Sequence, residues 1–218
     1  RLGEDDTAYV ADGREPLAPS GLEMAGRNIL AMRAGGIYDQ IGFGIHRYST
    51  DRHWHEPHFE KMLYDQAGYL DAVTLAFHRT GNDIYALIAG EILTYLMRDM
   101  RDAGGAFYSA EDADSEGEEG RFYTWSREEL EAALAAESSG AWTESAYLAA
   151  FHIGIASAPH AHSAGSGDSD GSSSRGIPRL ISEDTPPGSS EELAALIRSS
   201  RADDACRQRL LSARTTRT

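Results

Sequence analysis

The chain has 218 residues, 41% of them apolar and 25% charged, and a formal net charge of −15. That excess of acid excludes a surface built for nucleic acid or an anionic membrane, since both demand clustered basic side chains. No apolar run approaches the roughly 18 residues that a membrane helix needs, and the single cysteine, Cys206, leaves no internal disulfide or Cys-x-x-Cys centre.

One free thiol fits a reducing compartment. A cytoplasmic location is therefore expected, with any targeting signal ahead of Arg1 left open. The chain opens on Arg1 and closes on Arg214-Thr-Thr-Arg-Thr218 with no structural stop, so we read it as an internal piece of something longer.

Residues 1–19 read as a polar lead-in. Ser20 then suits the N-cap of a helix running to about Ala34, with Leu22, Met24, Ile29, Leu30 and Met32 as its apolar surface and Gly35 as a left-handed C-cap. From Gly35 to Tyr48, glycines, aromatics and β-branched residues alternate, as in short strands joined by a glycine turn. Pro57 predicts the next helix start. Phe59, Met62, Leu63, Gln66, Leu70, Val73 and Phe77 recur at spacings of three and four, giving one helical face that ends at Gly81. A further helix spans about Asp83 to Arg101, with Tyr85, Ile88, Ile92, Leu96 and Met100 on one side, and the short link predicts an antiparallel helix hairpin.

The pattern then returns. Gly104-Gly-Ala-Phe-Tyr-Ser-Ala110 repeats the Gly-Gly aromatic punctuation, with Gly105 lying 69 residues after Gly36. An acidic turn and Arg121-Phe-Tyr-Thr-Trp125 follow. Ser126-Arg-Glu-Glu129 has the form of a capping box, worth about 1 kcal/mol, and opens a short helix to about Ala136. Another short helix is expected from Thr143 to about Phe151. Residues 156–176 are too poor in apolar side chains to offset the entropy of ordering, and are expected to be a disordered Ser/Gly-rich insertion. Residues 177–218 supply a strand at Pro178–Ile181 and helices near Ser190–Ser199 and Asp203–Arg214.

Two clusters carry candidate chemistry. Four histidines, His46, His53, His55 and His58, fall within thirteen residues. A zinc site is disfavoured because no cysteine joins them and His55 and His58 straddle Pro57; His53 and His55 read as surface loop residues. His58, Lys61 and Asp65 are spaced three and four apart, as a polar stripe on the predicted helix. That stripe is either solvated, with an ordinary Lys61–Asp65 pair, or the wall of a pocket facing the hairpin.

The second cluster, Glu111 to Glu119, holds six carboxylates in nine residues. Asp112, Asp114 and Glu116 fit positions one, three and five of a calcium loop, but Tyr123 stands where the twelfth-position glutamate is required, so an EF-hand is rejected. What remains is a solvated acidic turn, a weak cation site, or carboxylates for acid–base chemistry. Tyr38, Phe43, Tyr48, Trp54, Tyr108, Phe122, Tyr123 and Trp125 flank the two loops, a mix of aromatic faces and polar groups that suits sugar rings as well as ordinary packing.

The stretches Gly35-Gly-Ile-Tyr-Asp-Gln40, His46-Arg-Tyr-Ser49, Pro57 to Gln66 and Phe107 to Trp125 together resemble the thioredoxin-domain proteins of the YyaL and spermatogenesis-associated protein 20 type. The resemblance covers about residues 21–155. It implies a thioredoxin-like domain upstream, followed by an (α/α)6 toroid similar to those of six-hairpin glycosidases and N-acylglucosamine 2-epimerases. The expected fold is therefore mainly α: a partial toroid over 20–155, continued by 177–218, with short β-hairpins at the helix ends. Three departures stand out: Phe43 where the family usually has glycine, His55-Glu56 in place of a more apolar pair, and the insertion at 156–176. The first is expected to narrow the pocket.

The leading expectation is a fragment whose hairpin loops bind a carbohydrate-like small molecule, with epimerase, isomerase or glycosidase-like chemistry as possible activities. His58, Glu60, Asp65, Asp112, Asp114 and Glu116 are the candidate catalytic groups. Tyr38, Asp39, His46, Arg47, Lys61 and Tyr108 are the candidate substrate contacts. No cofactor or metal is expected. The rival is a non-catalytic scaffold that presents the thioredoxin-like domain or binds a protein partner.

Overall fold

The computed structural model describes residues 20–115, 117–135, 152–155, 175–181, 188–201 and 204–216. The expected lead-in at 1–19, the helix at 143–151, most of the 156–176 insertion and Glu116 lie outside the described residues.

The described chain is mainly helical. Helix α1 spans Gly21–Ala34, α2 Leu63–Thr80, α3 Asp83–Tyr95, α4 Arg127–Ala135, α5 Ser190–Ser200 and α6 Asp204–Thr215. Between them lie short strands: β1 Tyr48–Ser49, β2 Pro57–His58, β3 Lys61–Met62, β4 Ala110–Glu111, β5 Asp114–Ser115, β6 Glu118–Glu119, β7 His152–Ile155 and β8 Gly176–Arg179. They pair antiparallel as four two-stranded ladders, β1–β2, β3–β4, β5–β6 and β7–β8. No described helix is long and apolar enough to cross a membrane.

Local chemistry sets most helix ends. Ser20 and Glu23 form a full capping box on α1. Ser126 and Glu129 form the expected one ahead of α4, and Ser189 with Glu192 caps α5. Gly81 ends α2 in the left-handed conformation, φ 66°. Gly35 does not repeat that device. It is extended, at φ −80° and ψ 177°, and its lack of a side chain serves close approach instead: a Cβ there would stand 2.5 Å from the Trp54 carbonyl oxygen.

Helix α2 begins at Leu63, six residues later than Pro57 predicted. Pro57-His58 is instead paired with Tyr48-Ser49, and Lys61-Met62 with Ala110-Glu111. These ladders, the second of them long-range, hold Pro57-His58 and Lys61-Met62 extended, against the local helix signal. The buried face of α2 is Gln66, Tyr69, Val73 and Ala76, whereas Phe77 lies exposed and Phe59 packs elsewhere. Gln66 is buried because its amide is satisfied in both directions by the Ile45 backbone.

Helices α2 and α3, linked by two residues, pack on each other, α1 packs on α2 and α5, and α4 packs on α6. The predicted face of α3 is the observed one: Tyr85, Ile88, Ile92, Leu96 and Met100 are all buried. Its last turn widens into a π-helical segment, Leu96–Met100. The main core runs through all of these helices, and a smaller one joins Phe59, Ala113, Tyr123 and Ile177. Strand β8 starts at Gly176, inside the predicted insertion, where Gly176 bridges Trp125.

Candidate functional site

The first glycine-aromatic loop is a foundation. Gly36 lies so close to His55 that a Cβ would stand 2.0 Å from its carbonyl oxygen. The Ile37 N–H donates to the Trp54 carbonyl at 3.0 Å, and a Tyr38–Ile45 bridge closes the turn. Within it, Asp39 Oδ1 accepts the N–H groups of Ile41 and Gly42, and Phe43 takes the left-handed conformation, φ 67°. That backbone requirement accounts for glycine being the easier residue there. The Phe43 ring is buried and lies 4.2 Å and 4.9 Å from the guanidinium carbons of Arg207 and Arg201. It does not line the cavity described below.

Strand β3 carries Lys61 directly opposite Glu111 on β4, which puts both side chains on one face of the ladder. Lys61 is 1% exposed. Its ammonium donates to Asp39 Oδ2 at 2.8 Å and to the Phe43 carbonyl at 2.9 Å, and lies 4.5 Å and 4.7 Å from the ring centroids of Tyr95 and Tyr123. Arg214, from the last turn of α6, donates to Asp39 Oδ1 at 2.9 Å and lies over Phe122. Glu111 accepts the hydroxyls of Tyr95, at 2.7 Å, and Tyr123.

These groups form one wall of a cavity of about 660 Å³, lined by Lys61, Glu111 and Arg214 together with Arg98, Tyr108 and Phe122. Asp39 stands behind the wall. Burial alone would push its carboxyl up, but Arg214 and Lys61 outweigh that and hold it well below the usual carboxylate range. Burial likewise opposes ionisation of Glu111, and Lys61 with the two tyrosine hydroxyls brings it below its ordinary value. His46, buried behind Lys61, is pushed down to about 3 by burial and then by the Lys61 charge; its Nδ1 contacts the Phe59 carbonyl oxygen at 3.0 Å. The wall thus presents a fixed carboxylate and a fixed ammonium. With Arg98 ion-paired to Asp99, Lys61, Arg98 and Arg214 are matched by Asp39, Asp99 and Glu111.

The other predicted site residues fall elsewhere. Lys61 and Tyr108 line the cavity and Asp39 supports it, but Lys61 pairs with Asp39 and not Asp65. His58, Lys61 and Asp65 form no helical stripe, because they belong to β2, β3 and α2 respectively. His58 stacks on Tyr48, with ring nitrogens 3.7 Å from Glu60 and 3.5 Å from Glu119. Glu60 is paired with Arg47 at 2.8 Å. Tyr38 is buried against α3, donating its hydroxyl to Glu91 at 3.0 Å; the same carboxylate is paired with Arg33 and Arg201. Asp112 and Asp114 are exposed and do not line the cavity. Among the described residues, no group of three or more His, Cys, Asp or Glu side chains is placed to hold a metal.

Sequence reasoning missed Glu111, Arg214, Tyr95 and the inward role of Tyr123. The signal for Glu111 was strand parity: Glu111 and Ala113 turn inward while Asp112 and Asp114 turn out. For Arg214 there was none, since it lies 175 residues from its partner Asp39.

A mainly helical domain with a charged, aromatic-edged cleft at its helix ends is the class that this geometry defines. Comparison with known proteins narrows it. The chain is 48% identical over 118 residues to spermatogenesis-associated protein 20 of Homo sapiens and of Mus musculus, a stretch covering 51% of this chain and 15% of each relative. The Rattus norvegicus protein of that name is 45% identical over 125 residues, 55% of this chain and 16% of the relative. An uncharacterised Caenorhabditis elegans protein is 36% identical over 144 residues, 62% of this chain and 20% of its own length. Over this region the chain is similar to the spermatogenesis-associated protein 20 of three mammals, and it matches only a fifth or less of each relative's length. No family model matches it.

Proposed function

We propose that the chain is part of an (α/α)6 toroid in a thioredoxin-domain-containing protein, and that its cleft binds a neutral, polyhydroxylated, carbohydrate-like molecule. The observation that carries this reading is the Lys61–Glu111 wall, a carboxylate opposite an ammonium in a cleft whose formal charges cancel once Asp39, behind the wall and paired to Lys61 and Arg214, is counted. Charge balance gives no net pull on an anion, while fixed donors and acceptors suit ring hydroxyls. Phe122 and the half-exposed Tyr108 offer apolar faces for the C–H side of a sugar ring.

In this reading Glu111 orients a hydroxyl or accepts its proton, with Tyr95 and Tyr123 holding the carboxylate in place. Lys61 donates to a ring or carbonyl oxygen, and Asp39 with the Phe43 carbonyl holds it in place. The test is calorimetric titration of the full-length protein with a panel of neutral monosaccharides, together with an isomerisation assay on those that bind. Binding by at least one sugar that is lost in Lys61→Met supports the reading. Silence across the panel overturns it.

A further inference from the structure

Another lip of the cleft is built on the π-helical segment that follows α3, Leu96–Met100. Arg98, Asp99 and Met100 all border the cavity. Three consecutive residues of a regular α-helix spread over about 200° of its circumference, so one cleft seldom meets all three. Widened turns of this kind recur at functional sites. The same segment holds the rim, because the Tyr108 N–H donates to the Met100 carbonyl at 2.8 Å.

Arg98 and Asp99 form a planar fork. Arg98 Nε donates to Asp99 Oδ1 at 2.8 Å, and Nη2 donates to Asp99 Oδ2. Nη2 also donates to the Gly42 carbonyl at 2.6 Å, which anchors the fork to the buried first loop. These bonds use Nε and Nη2 and leave the Nη1 hydrogens without a partner among the described residues. The side chains of Arg98 and Asp99 are 31% and 34% exposed, so the pair is open to a ligand as it stands. Its free edge sets unused guanidinium hydrogens beside a carboxylate with lone pairs to spare, a donor next to an acceptor. An apolar group satisfies neither, and a lone hydroxyl meets one of them at a time. A vicinal diol meets both, one hydroxyl donating to Asp99 while its neighbour accepts from Arg98 Nη1.

We infer that Arg98 and Asp99 are specificity-determining residues of the cleft, selecting a neutral sugar or polyol by a free vicinal diol. The inference rests on the sugar reading of the cleft and narrows it. The full-length protein is titrated calorimetrically with D-glucose, D-mannose and D-galactose, then with the single deoxy forms of whichever binds tightest. Deoxygenation at each of two adjacent ring carbons should weaken wild-type binding by about tenfold, the scale of one charge-assisted hydrogen bond. Asp99→Ala should remove that penalty at one of the two positions and Arg98→Met at its neighbour, with penalties elsewhere on the ring unchanged. If Arg98→Met fails to fold without its Gly42 contact, the exposed Asp99→Ala decides alone. Penalties that survive in the folded variants, or that vanish at non-adjacent positions, overturn the inference and leave the sugar reading standing. Silence from all three parent sugars also overturns it, and silence across the whole neutral panel overturns the sugar reading as well.

Discussion

The two glycine-aromatic units share a pattern of residues and differ in what the fold does with them. In the unit from Gly35 to Tyr48, residues 35–46 are all buried, and Asp39 and His46 are enclosed with every polar contact made inside the protein. In the unit from Gly104, Phe107 and Tyr108 are 44% and 55% exposed, and only alternate residues of the acidic stretch turn inward. One unit is a foundation and the other a rim. The cleft lies on the seam between them, where β3 and β4 set Lys61 against Glu111. A sequence repeat therefore marks a repeated turn without marking a repeated environment.

The contrast can be broken most severely at Asp39. Asp39→Asn leaves Lys61 and Arg214 as buried cations with their shared counter-ion gone. It should cost about 3–5 kcal/mol in urea unfolding, the usual scale for halving a buried ion pair. A cost near zero would mean that the foundation does not depend on that carboxylate.

The equivalent glycines supply the next test. Gly36→Ala would drive a Cβ to 2.0 Å from the His55 carbonyl oxygen, backbone that cannot swing aside, and should cost about 3 kcal/mol. Gly105→Ala meets only the Arg101 side chain, at 3.5 Å, and suffers mainly from its positive φ, for about 1 kcal/mol. Equal costs in paired thermal melts would erase the distinction between foundation and rim.

A smaller effect is expected with pH. The folded His46 titrates at about 3 rather than 6.5, so the unfolded chain takes up the proton first. Its contribution to stability is complete above about pH 6.5 and declines as pH falls from there towards 3. Between about pH 7.5 and about pH 5.5 the unfolding free energy should drop by about 1.4 kcal/mol, and His46→Gln should remove that slope. Smallest of all, Tyr108→Ala on the rim should leave stability within about 0.5 kcal/mol while weakening any sugar binding. A large loss of stability would make Tyr108 part of the packing.

Much of the helical frame was legible because its signals are local. The α3 face from Tyr85 to Met100, the Ser126–Glu129 capping box and the stop at Gly81 each need only a few neighbouring residues. Pro57 misled because its helix-start signal is also local, whereas Pro57-His58 and Lys61-Met62 are held extended by Tyr48-Ser49 and by Ala110-Glu111, the latter almost fifty residues away. The cleft was legible in Lys61 and Tyr108 but not in Glu111, which is set apart from Asp112 only by strand parity. Nor was it legible in Arg214, because nothing in the sequence brings α6 to Asp39.

The central claim is that the inward carboxylate of the acidic stretch, rather than its exposed neighbours, serves the cleft. The most direct test is calorimetric titration of the tightest-binding monosaccharide into Glu111→Gln and Asp112→Asn forms of the full-length protein, side by side. The account predicts that Glu111→Gln loses binding and Asp112→Asn keeps it. Loss in Asp112→Asn with binding retained in Glu111→Gln would contradict it.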